Sequence, residues 1–314
     1  MKQVNLGKRG VGKALAKSER MPLTAKTIVE PVLFAAPFML ICITFVIYPV
    51  INVFIMSFYE NYNFIQQTYT GAGLDNYKYV LHDKYFISAL KNTFIYVFTV
   101  VPIATALALL IAILLNNKIK LSSVFQTVFF LPMVTSSIAI GFVWRYMFNA
   151  DYGMINGVLN LFGIASKPWL THPRMAIWAL ILFGIWNSLP FSIIMFLAGL
   201  QNIDPKYHIA AKLDGASSFK VLTRITIPLL APTIALVLVV RTISASKVFN
   251  EVYALWNGSP GPASSLYTMV YYIFQQFYSK WQVGYAAAAA VILFFIVFIL
   301  TIIQLFIQKK FSYR

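Results

Sequence analysis

The chain has 314 residues, 60% hydrophobic and only 11% charged, and a mean hydropathy of +0.74. Soluble domains are about 45–50% apolar and about 25% charged, so a soluble globular fold is excluded, and so is intrinsic disorder. The single cysteine, Cys42, excludes an internal disulfide framework, a cysteine-based zinc site and an iron–sulfur cluster, while three histidines and nine acidic residues leave few ligands for a buried metal or carboxylate centre.

A membrane span needs about 20 apolar residues. Six such stretches succeed one another, at about 31–58, 87–115, 121–148, 174–200, 229–256 and 283–307. They are too long and too uniformly apolar for barrel strands. The predicted fold class is therefore an all-α integral membrane protein with six transmembrane helices. Pro37, Pro49, Pro102, Pro132 and Pro190 lie inside these stretches. Spans tolerate proline because neighbouring helices and Ser/Thr side chains satisfy the freed carbonyls.

The net charge of +16 is distributed by loop. Sixteen basic residues fall in the N-terminal tail, the loops near 118 and 206–224, and the C-terminus; only Lys78, Lys84, Lys91, Lys167, Arg174 and Lys280 fall in the opposite loops. Cytoplasmic loops carry the excess of Lys and Arg, so both termini are expected in the cytoplasm. A topology signal of this kind leaves no reason to invoke nucleic acid as a partner; membrane lipid is the expected one. The first apolar stretch is longer than the core of a signal peptide and is not expected to be cleaved. No internal repeat or inverted half is visible, so the commonest signature of secondary transporters is missing.

Residues 1–29 read as a basic tail and 30–314 as one six-helix transmembrane domain. Within the tail, Gly7-Lys8-Arg9-Gly10-Val11-Gly12-Lys13-Ala14 nearly matches a phosphate loop. Ala14 stands where a hydroxyl must ligate Mg²⁺, and no apolar strand precedes the glycines, so nucleotide binding is not expected. No cofactor is expected either.

The loop at 201–228 is the most informative segment. Asp204-Pro205 is an N-cap followed by a first-turn proline, residues 205–213 form a short helix, and Gly215 can take the left-handed conformation that ends it. Pro228 then opens the fifth span. Such an element is either a helix lying on lipid or a rigid knob for a cytoplasmic partner.

The pattern Ala210-Ala211-x3-Gly215-x9-Ile225-x-Ile227-Pro228 resembles the "EAA" signature of binding-protein-dependent ABC-transporter permeases. Phe196-Leu197-Ala198-Gly199-Leu200-Gln201, Asn257-Gly258-Ser259-Pro260-Gly261, Leu131-Pro132 and Phe148-Asn149 with Gly153-x-Ile155-Asn156 resemble the sugar-permease branch typified by the maltose permease. The resemblance covers about 30–310. It implies a non-enzymatic transport subunit of type I importer fold. The implied partners are a second homologous permease, two cytoplasmic ATPase subunits and an extracytoplasmic solute-binding protein. It also implies that Ile209, Ala210, Ala211, Lys212, Asp214 and Gly215 form the helix that docks on the ATPase. The leading Glu of the signature is Ile209 here. Either Lys212 or Asp214 replaces its contact, or coupling rests more on the second permease.

Intramembrane polar residues mark candidate pathway positions. Arg241, Ser244, Lys247 or Val248, and Glu251 fall three or four apart on one expected helical stripe, with Lys247 and Glu251 close enough to pair. A packing ion pair and a solute-lining face are both consistent with that spacing. Matching onto the maltose-permease pattern implies solute contacts at Met133 and Ser137 on span three. On span four it implies Gly184, Asn187, Ser188 and Phe191, to which Trp186 adds an aromatic face. On span five it implies Ser244, Ala245, Lys247 and Val248. The implied function is import of a sugar or oligosaccharide. Alternatives are glycerol phosphate or an anionic sugar carried by the same machine, and a proton- or sodium-coupled carrier. The last would need buried carboxylates, of which Glu251 is the one candidate near a span.

Overall fold

The computed structural model describes residues 25–116 and 122–312. The near-phosphate loop at 7–14, most of the basic tail at 1–29 and the loop lysines Lys118 and Lys120 lie outside the described residues. The described residues divide into two compact units, one ending at Asn52 and one starting at Val53.

The first unit is built around helix α1 (Ala25–Cys42) and a π-helical turn (Ile43–Ile47), and helix α2 (Tyr48–Met56) runs on from it. The span Val32–Met56 is long and apolar enough to cross a bilayer. The π turn ends where the Tyr48 N–H bonds back to the Ile43 carbonyl, directly before Pro49. The same arrangement recurs at Leu222–Thr226, where the Ile227 N–H reaches the Leu222 carbonyl directly before Pro228. A proline ring clashes with the carbonyl four residues back. One widened turn moves that carbonyl aside and lets the helix continue.

The second unit opens with a two-stranded hairpin, β1 (Tyr59–Glu60) paired antiparallel with β2 (Gly71–Ala72), and helix α3 (Asp75–His82). Three long spans organise the rest of the unit: α4 (Lys84–Asn116), α8 (Pro173–Gln201) and α14 (Val283–Ser312). Between them lie α5 (Ser122–Val134), α6 (Ser137–Met147), α7 (Met154–Leu161), α9 (Pro205–Leu213), α10 (Ser218–Val221), α11 (Ile227–Ser246), α12 (Asn250–Leu255) and α13 (Met269–Phe274).

Two apolar clusters show how the helices run. Phe86, Ala89 and Val100 of α4 pack with Ala176, Leu180 and Phe183 of α8 in one cluster, and Ala108, Ala112 and Leu115 pack with Ile193, Phe196 and Leu200 in the other. Helices α4 and α8 therefore run parallel, and the small buried residues Ala104, Ala108 and Ala112 repeat every fourth position along α4. In lipid, such residues let helix backbones approach closely, which is where association energy comes from when both solvent and surface are apolar. One end of the unit carries the hairpin, α3 and the loop before α13; the other carries α9 and α10.

Polar ties hold the hairpin end together. Asn92 donates to the carbonyls of Ser265 at 2.7 Å and Tyr267 at 2.9 Å, and Thr93 accepts from the Met269 N–H at 3.0 Å. Tyr272 donates to Asp83 at 2.8 Å. Burial and the neighbouring Asp83 push its phenol pKa well above the ordinary value, so it stays a donor.

Two expectations are corrected. The stretch at 121–148 is not one straight span: it is α5 and α6, bent by 106° between Val134 and Ser137. Pro132 weakens the ladder there, and the Thr135 hydroxyl takes the Leu131 carbonyl at 2.9 Å, closing the first limb. The fifth span is Ser218–Ser246, not 229–256. Its helix begins ahead of Pro228 because the π turn accommodates the ring. It stops at Lys247 because Phe249 adopts a non-helical backbone (φ −147°, ψ −53°) before α12 starts.

Candidate functional site

Helix α8 supplies the centre of a polar cluster inside the bundle. Asn187, half-buried, donates from Nδ2 to Oε1 of Glu251 at 3.1 Å. Ser192 lies one turn beyond Ser188, donates to its carbonyl at 3.0 Å, and accepts from Nε of Arg241 at 3.0 Å. The Arg241 guanidinium also sits over the Phe191 ring, 4.7 Å from its centroid. A cation at the bilayer centre costs about 2.5–3.5 kcal/mol on insertion scales. A desolvated cation–π contact returns up to about 2 kcal/mol, and the charge-assisted hydrogen bond adds to it. Arg241 is thus held by protein groups on α8.

An aromatic wall stands beside this cluster. Trp186 packs on Trp144 with centroids 5.5 Å apart, and Trp144 in turn meets Phe183 at 5.4 Å and Phe148 at 5.3 Å. Gly184 is buried against the ring of Tyr96 on α4, where an added Cβ would overlap the phenol. Asn187 and Ser188 with Trp186 and Phe191 so combine planar hydrogen-bonding groups with aromatic faces.

Helices α8 and α11 meet through Phe191, Ser192 and Arg241, and the other predicted positions are spread more widely. Met133 and Ser137 flank the 106° bend and are exposed. Ser244 and Lys247 are exposed, Ala245 is half-buried, and Val248 is buried in the apolar core. Lys247 lies just past the helix end, Glu251 belongs to α12, and no ion pair joins them. The continuous stripe through 241–251 is thereby replaced by two helices, with Asn187 rather than Lys247 as the partner of Glu251. Tyr96 and Ser192 are absent from the positions that the sequence singles out. Tyr96 meets Gly184 across 88 positions of chain, which no local pattern reveals; Ser192 comes after Ser188 at helical spacing, a signal that the sequence does carry. Among the described residues, no group of three or more His, Cys, Asp or Glu could hold a metal ion.

The loop at 201–228 folds as its residues dictate. The Asp204 side chain accepts from the Lys206 N–H at 2.9 Å, with Pro205 in the first turn. At the other end, Gly215 has φ +69°, its N–H bonds to the Lys212 carbonyl at 3.1 Å, and the Ala216 N–H reaches the Ala211 carbonyl at 2.9 Å. That pair of bonds is a Schellman closure. Ile209, Ala210, Lys212 and Asp214 are exposed, as are Tyr207 and Leu213, whereas Ala211 is buried within this chain. His208 meets the Thr226 hydroxyl at 3.2 Å, tying α9 to the π turn at the foot of the fifth span.

The sequence profile described as "Binding-protein-dependent transport system inner membrane component" matches residues 104–313. The chain is 34% identical over 285 residues to the arabinooligosaccharides transport system permease protein AraP of Bacillus subtilis, covering 90% of this chain and 89% of that one. It is 33% identical over 300 residues to the lactose transport system permease protein LacF of Rhizobium radiobacter, covering 94% and 99%. It is 32% identical over 273 residues to the trehalose/maltose transport system permease protein MalF of Thermococcus litoralis, covering 87% and 91%. A chain from a bacterial alginate ABC transporter, solved in complex with an alginate pentasaccharide-bound periplasmic protein, superposes with a TM-score of 0.78. It has 23% identity and covers 91% of this chain and 97% of that one, a likeness of fold. The chain belongs to the family of inner-membrane components of binding-protein-dependent ABC transport systems.

Proposed function

We propose that this chain is one of two transmembrane subunits of an ATP-driven importer for a sugar or oligosaccharide. An extracytoplasmic binding protein delivers the solute, a second homologous permease completes the pathway, and two cytoplasmic ATPases drive the cycle. Relatives named for arabinooligosaccharides, lactose and trehalose/maltose support the solute class. The observation that carries it is the group on α8, where Asn187 and Ser188 lie in chain order between Trp186 and Phe191, with Asn187 bonded to Glu251 and the Phe191 ring against Arg241. Sugar hydroxyls need planar hydrogen-bonding groups, and the apolar faces of the rings favour aromatic surface.

Trp186, Asn187, Ser188, Phe191 and Ser244 are the proposed contacts, with Met133, Ser137, Ala245 and Lys247 lining the same path. Gly184 and Val248, both buried, shape it from behind. Helix α9 transmits closure of the ATPase pair through its exposed residues Ile209, Ala210 and Lys212. Sixteen basic residues against six favour a cytoplasmic position for both termini, so a C-terminal reporter should read as cytoplasmic, and surface labelling of that end refutes the orientation. Uptake of labelled oligosaccharides by cells lacking this chain, with and without its restoration, tests the function. A second solute class, an anionic sugar or glycerol phosphate, is favoured by Lys247, which is exposed and makes no ion pair among the described residues. The same uptake assay with an anionic sugar decides between the two.

A further inference from the structure

At the end of the unit remote from α9, a pocket of about 370 Å³ opens between the hairpin loop and the turn that leads into α14. That volume lies within the range of small-molecule sites. Its lining includes Asn61, Tyr62, Asn63 and Phe64 on one side, Trp281 and Gln282 on the other. Among the described residues, no acidic or basic side chain lines it. The aromatic groups are four with Tyr285, and Phe64 stands 6.3 Å from Trp281 between ring centroids.

The lining amides Asn61, Asn63 and Gln282 are exposed and have hydrogen-bonding capacity left. Asn63 Oδ1 accepts from the N–H groups of Ile65 at 3.0 Å and Gln66 at 3.1 Å, which holds the loop and leaves its NH₂ without a partner among the described residues. Asn61 donates to Thr70 at 3.1 Å, and its carbonyl oxygen is likewise left without a partner among them. The Gln282 side chain makes no hydrogen bond within the described residues, while its backbone N–H closes the turn on the Gln276 carbonyl at 2.8 Å. Beneath them the buried Asn76 donates to the carbonyls of Ser57 at 3.0 Å and Tyr59 at 2.9 Å, fixing the hairpin to α3.

Two of the lining residues have left-handed backbones. Asn61 has φ +50° and Trp281 has φ +57°. A left-handed conformation is a genuine outlier for a bulky residue, and Trp281 occupies a helix-end position where glycine is usual. Strained residues persist where the surroundings over-determine them, commonly at ligand clamps. Trp281 is nevertheless 58% exposed, so apolar burial does not account for its place. An interfacial aromatic belt would explain the rings. It gives no reason for three amides with free donors and acceptors to converge on the same pocket.

We propose that this pocket binds a neutral saccharide, as a second carbohydrate subsite separate from the α8 cluster. Rings stack on the apolar faces of the sugar, the Asn61, Asn63 and Gln282 amides bond its hydroxyls, and the absence of charge in the lining disfavours an anionic solute. The inference rests on the proposed sugar-import function. On the proposed topology the pocket faces outward, where it would hold one end of a chain entering the pathway.

The test uses the complete transporter, purified through a tag on this chain and placed in lipid nanodiscs without binding protein. Maltotriose, arabinotriose and lactose serve as probes, with binding followed by saturation-transfer NMR. Trp281→Ala should weaken binding of at least one probe about tenfold, the loss expected for one stacking contact. Trp281→Tyr should stay within about threefold. Equal binding by wild type and Trp281→Ala overturns the subsite. So does a Trp281→Ala variant that keeps saccharide binding but loses docking of the binding protein, since the pocket would then serve a protein partner. Probe uptake in cells separates the two readings: normal uptake with no effect of Trp281→Ala removes the subsite alone. Binding that depends on Trp281, with no uptake of any probe, removes the import reading alone. Neither binding nor uptake removes both.

Discussion

His208 on α9 and Thr226 in the π turn near the start of the fifth span lie 3.2 Å apart, side chain to side chain. They are separated by 18 positions and joined across the loop proposed to meet the ATPase. The contact makes α9 part of the span rather than an appendage to it. Displacement of α9 is therefore felt at Thr226, directly before Ile227 and Pro228 at the start of α11.

His208→Leu and Thr226→Val should each loosen this tie. A part-buried hydrogen bond contributes about 0.5–1.5 kcal/mol net. Membrane assembly should persist, while transport per ATP hydrolysed falls. Measuring uptake and ATPase activity on the same purified complex checks it; an unchanged ratio in both variants contradicts the role.

Gly215 makes a cleaner test, because nothing lies within 4 Å of a Cβ built there. Any cost of substitution is conformational and not steric. Gly215→Val should destabilise the α9 closure by about 1–2 kcal/mol and release the ATPase during purification. Gly215→Asn should be milder, since Asn tolerates the left-handed region. Equal retention of the ATPase by wild type, Asn and Val variants would show that the turn is not needed. At Ala211 the cause differs. The residue is buried within this chain, so Ala211→Trp should displace α9 from its seat.

Gly184→Val should lower the thermal stability of the purified protein, because the added side chain enters the space of the Tyr96 ring. Overpacking of this kind costs about 1–3 kcal/mol. Combining it with Tyr96→Ala should recover part of the loss. No recovery in the double variant would show that Gly184 matters for another reason.

Asn187→Asp should impair transport more than Asn187→Ala. It places a second carboxylate where the amide now donates to Glu251 at 3.1 Å, and two carboxylates at that distance cannot both ionise at low cost. Uptake rates normalised to membrane-inserted protein give the comparison; an Asp variant as active as wild type would remove Glu251 from the pathway.

Local features are legible in the sequence and long-range ones are not. Asp204, Pro205 and Gly215 write the ends of α9 within a dozen residues, and cap and closure stand as their chemistry demands. Hydropathy finds apolar length but is blind to direction, so it does not register the 106° bend between α5 and α6, which are both apolar. Pro132 and the hydroxyls at Thr135, Ser136 and Ser137 are its trace. Pro228 looks like the first residue of a span because proline suits a first helical turn. The helix in fact runs through it by widening one turn ahead. The pairing of Asn187 with Glu251, and of Arg241 with Ser192, depends on which helix faces which, and periodicity along one segment carries no such information.

The most direct measurement is uptake into proteoliposomes holding this chain, its partner permease and the ATPases, with binding protein and labelled maltotriose, arabinotriose or lactose outside. Saturable accumulation of a saccharide that requires internal ATP and the binding protein, and falls in Asn187→Ala, is the predicted result. Accumulation driven by a proton or sodium gradient without ATP, or transport confined to anionic solutes with every neutral saccharide excluded, would contradict it.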